Sequence, residues 1–116
     1  MGVRIYHNPR CSKSRQTLAL LRERGVEPEI VDYLKTPPDA AELEHLLQML
    51  GMEPRALMRT QEKEYKALGL DEPGLGRGQL IQAMAENPRL IERPIVVKDA
   101  REAALGRPPE AALDLL

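Results

Sequence analysis

The only cysteine of the chain, Cys11, lies in the stretch YHNPRCSKSRQTLALL, residues 6 to 21, just after an Asn-Pro turn and at the start of a helical pattern. A thiol is a nucleophile only as the thiolate, and at a free pKa of about 8.5 it is mostly protonated at neutral pH. Three features of this stretch are expected to lower that value. At a helix start, unpaired backbone N–H groups and the helix dipole point at the sulfur. Arg15 stands one turn along the same face, and Arg10 and Lys13 add positive potential. Ser12 and Ser14 supply hydroxyl donors, so the loop also has the makings of a small oxyanion site. A cysteine that merely fills a core would sit among Leu and Val; this one sits among cations and hydroxyls. A single cysteine excludes an internal disulfide and a four-cysteine zinc site. His7 and Cys11 have no further ligands to complete a shell, so no metal is expected.

The elements that must hold this loop follow from periodicity. VRIYH, residues 3 to 7, alternates apolar and polar as a short strand, and SRQTLALLRERG reads as a helix closed by Gly25. EIVDYL is a second strand, which makes the opening β-α-β and the two strands parallel. TPPDAAELEHLLQMLG is the clearest helix, with Asp39 and Glu42 as a capping box, Leu43, Leu46, Leu47 and Leu50 on one face, and Gly51 as its stop. His45 falls on its solvent side. EPRALM, EKEYKALG and GQLIQAMAE are short helical pieces, with GLDEPGLGRG as a flexible link. LIERPIVV is an apolar strand run interrupted by Pro94, EAALG can pair back antiparallel, and RPPEAALDLL reads as a last helix. The expectation is one α/β domain over residues 1–116, a small mixed sheet in β-α-β … β-β-α order with a helical insertion at about 52–89.

Composition narrows the function classes. With three Tyr and neither Phe nor Trp, the core must come from aliphatic residues and Met. A net charge of -1 offers no general attraction to nucleic acid or an anionic membrane, so neither is expected as a partner. No apolar run reaches membrane-spanning length, and cysteine usage fits a reducing, cytoplasmic setting. Arg93 is the most telling arginine outside the loop, because it lies within an apolar run and a buried guanidinium needs an anion or a partner.

YHNPRCSKSRQTL resembles the active-site loop of the glutaredoxin-coupled arsenate reductases, a branch of the thioredoxin-like fold. PRALMR, LIERPIVV and LGRPPEAALDLL agree with that family in order and spacing, so the likeness runs from Ile5 almost to the last residue. The resemblance implies that Cys11 is the nucleophile and that Arg59, Arg93 and Arg107 surround the oxyanion and the thiolate. It places Pro94 where thioredoxin-like folds keep a cis-proline, and gives His7, Asn8 and Ser14 supporting roles in the cysteine loop. Arg10 and Lys13 depart from the small neutral residues common in well-known members, which leaves the substrate or the thiol partner open.

The implied reaction tests itself by electron count. Reduction of arsenate to arsenite takes two electrons, two thiols supply them, and Cys11 provides one. The resemblance therefore implies glutathione as co-substrate and a glutaredoxin as partner. No bound cofactor and a monomeric enzyme are expected. Two other readings compete. One is a glutathione-dependent thiol-disulfide oxidoreductase that does not act on arsenate. The other is a Spx-like transcriptional regulator, which would need a C-x-x-C switch where this chain has Ser14.

Overall fold

The structure, a computed structural model, describes residues 2–116. Among the described residues four strands form: β1 (Val3–His7), β2 (Glu29–Asp32), β3 (Ile95–Lys98) and β4 (Glu102–Leu105). They make one mixed sheet in the order β2-β1-β3-β4. β1 pairs with β2 in parallel, bringing Ile5 opposite Ile30 and His7 opposite Asp32. On its other side β1 runs antiparallel to β3, with Ile5 opposite Val96, and β3 pairs antiparallel with β4. The β-α-β opening and the returning β-β pair are thus present.

The chain divides into two compact units. One combines the chain up to Thr36 with Arg93–Leu116, and the other is Pro37–Glu92. In the first, α1 (Ser12–Glu23) and the 3-10 helix Pro109–Leu115 pack together, and the latter also meets β4. Val3, Ile5, Leu18, Leu21, Val96 and Ala112 form its core, with Val26 and Leu115 packed against it. Ile5 and Leu21 are fully buried, and burial of such a side chain contributes about 1.5–3 kcal/mol.

The second unit holds α2 (Ala40–Leu50), the 3-10 helix Pro54–Leu57, α3 (Lys63–Ala67), α4 (Arg77–Glu86) and the 3-10 turn Pro88–Leu90. Asp39 caps α2 by accepting the Glu42 N–H at 2.8 Å, and Gly51 ends it in the left-handed region at φ 65°. Leu43, Leu46 and Leu47 are buried, His45 is exposed, and α2 packs on α4. Arg77 is the first residue of α4 rather than part of the link before it. Its guanidinium reaches Glu44 at 2.6 Å and Glu53 at 3.2 Å.

Three elements differ from their periodicity. β2 stops at Asp32 because its carbonyl accepts the N–H groups of Lys35 (3.0 Å) and Thr36 (2.9 Å), turning the chain before Tyr33 can extend the strand. In LIERPIVV the strand begins only at Ile95. Leu90 ends a 3-10 turn opened by Pro88, Ile91 makes an isolated bridge to Met58, and Pro94 has no N–H for a ladder. The last helix is 3-10 rather than α. Among the described residues, no helix is long and apolar enough to cross a membrane.

Candidate active site

β1 delivers the chain to a turn at Asn8–Arg10, and that turn sets Cys11 as the N-cap residue of α1. Two bonds hold the turn: the Cys11 N–H donates to the Asn8 carbonyl and the Arg10 N–H to Asn8 Oδ1, both at 3.0 Å. Cys11 is extended (φ -93°, ψ 123°), while its carbonyl already accepts the Arg15 N–H at 3.0 Å. The sulfur therefore stands over the open first turn of α1, and the residue is 8% exposed.

Burial is the largest influence on this thiol and pushes its pKa up. The opposing influences together win, so the net shift is downward. In order they are the Ser14 backbone N–H, the charge of Arg93, the Lys13 backbone N–H and the charge of Arg107. The thiol closes no cap hydrogen bond of ordinary geometry, yet the two N–H groups face it closely enough to favour the anion. Arg107 Nη2 lies 3.8 Å from the sulfur, the contact expected of a guanidinium beside a thiolate.

Arg107 is itself anchored. Its Nε donates to the Arg93 carbonyl at 2.8 Å, and the Gly106 N–H donates to the Pro94 carbonyl at 2.9 Å. The Arg93–Pro94 peptide is cis, where the family resemblance placed one, and so is Arg107–Pro108, which the sequence reading did not anticipate. Gly106 allows these two segments to meet α1. A Cβ at this position would lie 2.5 Å from Thr17 Oγ1 and 2.7 Å from Pro94 Cγ. Thr17 is fully buried and bonds the Lys13 carbonyl at 2.8 Å. Sequence reasoning missed Gly106 and Thr17; the small residue directly before Arg107-Pro108 was the only available signal.

Ser14 has a different task from the one its position suggested. Its hydroxyl oxygen accepts the Asn8 N–H at 3.0 Å and lies 2.8 Å from His7 Nδ1. Its backbone, not its side chain, faces the sulfur. Ser14 and His7 are both buried, so these bonds lock the loop to the end of β1. Burial is the main cause of a lowered His7 pKa. Asp32, opposite on β2, pulls the value back up, and Arg22 and Arg15 push it down again.

Of the other expected residues, Arg15 turns its Nη1 to the Pro9 carbonyl at 2.9 Å, which braces the turn. Arg10, Ser12 and Lys13 are exposed. Arg59 belongs to the second unit, where it pairs with Glu62 at 2.7 Å and donates to the Arg89 carbonyl at 3.4 Å. Cys11, His7, Asn8, Ser14, Arg93, Pro94 and Arg107 all fall in the first unit. Among the described residues there is no cluster of three or more His, Cys, Asp or Glu side chains able to hold a metal ion.

The chain is similar over nearly its whole length to known proteins. The sequence model of the ArsC family matches residues 6–115. The chain is 58% identical over 115 residues to the uncharacterized protein YfgD of Escherichia coli, covering 98% of this chain and 96% of that one. It is 50% identical over 109 residues to an arsenate reductase of Neisseria meningitidis, covering 93% and 92%. Among solved structures, an arsenate reductase from Vibrio cholerae superposes with a TM-score of 0.97 at 53% identity, over 100% of this chain and 98% of that one. The fold is thioredoxin-like.

Proposed function

Because the chain belongs to the ArsC family, we propose that it reduces arsenate to arsenite with Cys11 as nucleophile, glutathione as co-substrate and a glutaredoxin as the final thiol. The observation that carries this reading is the Cys11 sulfur 3.8 Å from Arg107 Nη2, at a helix start whose N–H groups and neighbouring cations favour the thiolate. The same donors suit a phosphate-like oxyanion, since guanidinium gives paired hydrogen bonds to such oxygens.

The thiolate attacks arsenic, one oxygen leaves as water after protonation, and an As–S bond forms. The thiol of glutathione displaces a second water and joins the same arsenic. A glutaredoxin thiolate then attacks the glutathione sulfur and forms a mixed disulfide. The electron pair of the broken As–S bond stays on arsenic, taking it from As(V) to As(III), and water releases arsenite from Cys11. Two thiols are oxidised and one arsenic is reduced. Arg93 and Arg107 stabilise the negative oxygens during attack, and Arg59 is assigned the same task by its match to the family. His7, Asn8 and Ser14 hold the loop rigid, and Pro94 supplies the carbonyl that fixes Gly106 beside Arg107. These reactants and the free thiol suit the cytoplasm.

The test is an NADPH-coupled assay with glutathione and a glutaredoxin, comparing arsenate with a small mixed disulfide. Turnover of arsenate that disappears in Cys11→Ser is the expected result. Turnover of the disulfide alone makes the chain a thiol-disulfide oxidoreductase instead.

A further inference from the structure

A hollow of about 310 Å³ lies beside the cysteine loop, lined by Asn8, Pro9, Arg10, Asp32, Leu34 and Lys35. Its walls are two turns, each held by its own bonds. Asn8 Oδ1 takes the Arg10 N–H, and Asp32 takes the N–H groups of Leu34 (Oδ1, 3.3 Å) and Lys35 (carbonyl, 3.0 Å). The hollow is therefore a formed feature of the first unit. Its charges are two cations, Arg10 and Lys35, and one carboxylate, Asp32, while Leu34 offers an exposed apolar surface at 38%. Neither cation contributes charge to the lowering of the Cys11 pKa. The thiolate chemistry leaves both without a task.

We infer that this hollow binds the second thiol of the reaction, a small peptide thiol with two carboxylates and one ammonium. Arg10 and Lys35 pair with the carboxylates and Asp32 with the ammonium, so the charge pattern of the hollow is the inverse of the ligand's. Three of its lining residues, Asn8, Pro9 and Arg10, directly precede Cys11, which sets a thiol held there beside the arsenic carried by the sulfur. The bound thiol forms its As–S bond as one water leaves, with no change of oxidation state at that step. Arg10 thereby acquires a role as a determinant of thiol choice.

The inference rests on the proposed arsenate chemistry, and the test separates the two. S-methylglutathione, which cannot react, is titrated into the protein and amide shifts are followed by NMR. Shifts at Asn8, Arg10, Asp32, Leu34 and Lys35 are expected, and are expected to vanish in the double variant Arg10→Glu, Lys35→Glu. In the coupled assay each single reversal should raise the KM for glutathione about threefold to fivefold and the pair about tenfold, as for exposed charge pairs. The KM for arsenate and the thermal midpoint should stay at wild-type values. Shifts located elsewhere, or a glutathione KM unmoved by the double reversal in an active enzyme, overturn the subsite. A rise confined to the KM for glutaredoxin also overturns it, because the hollow then serves the protein thiol. If arsenate gives no turnover while S-methylglutathione still shifts the hollow, the subsite stands and the arsenate reading falls.

Discussion

At Cys11, burial and electrostatics oppose each other, and the anion wins because four donors or charges converge on one sulfur. Arg107→Ala removes one of those charges and the brace to the Arg93 carbonyl. It should raise the thiol pKa, read as an upward shift in the pH midpoint of iodoacetamide labelling, and lower arsenate turnover about 10²-fold, the loss usual for a donor to a developing oxyanion. Ser14→Ala deletes the oxygen that accepts the Asn8 N–H and meets His7. It should cost about 1–3 kcal/mol in urea unfolding, since buried polar groups lose their partner. The place of Cys11 at a helix start was legible in the sequence, because it is a local pattern. Of the two cations that act on it, Arg93 stood out by its apolar run and Arg107 did not. Arg15 was the obvious candidate by helical spacing but bonds Pro9, while Arg107 reaches the sulfur from 96 residues away. Only the family resemblance pointed there, since no periodicity links positions so far apart.

Secondary structure was readable where it depended on short-range rules, as with the Asp39 cap, the Gly51 stop and the alternation of β1. It was misread where hydrogen bonding across a turn cut an element short, as Asp32 does to β2, or where proline withheld a donor, as in the run before Ile95. The meeting of β4's end with α1 at Gly106 had no sequence signature beyond the residue itself. Gly106→Ala should therefore destabilise the chain by about 1–3 kcal/mol through overpacking, measured as a lower thermal midpoint. Adding Thr17→Ala should recover part of that midpoint relative to the sum of the two single variants, because one of the two clashing neighbours is gone. Simple additivity would count against a direct clash.

Over the whole molecule, His7 and Cys11 tie stability to pH in the same direction. The folded chain resists protonating His7, chiefly because the ring is buried. Below the unfolded pKa of about 6.5 the unfolded state therefore binds more protons, and stability falls with acid. Cys11 is a depressed acid, so its contribution is complete above the unfolded value of about 8.5 and is lost as pH falls through the lower folded value. Urea midpoints should rise steadily from about pH 5 to about pH 9, and His7→Gln should flatten the acid limb even if its midpoint is lower throughout. A midpoint that falls over this range would reverse both signs. The sheet order adds a consequence for synthesis. β1 is central, yet one of its flanks, β3, and both guanidinium groups beside the sulfur come from residues 93 onward. On the ribosome, Cys11 emerges early and is without the charges of Arg93 and Arg107 until that distant segment follows it out. A nascent chain short of that segment thus lacks two of the four influences that favour the Cys11 thiolate.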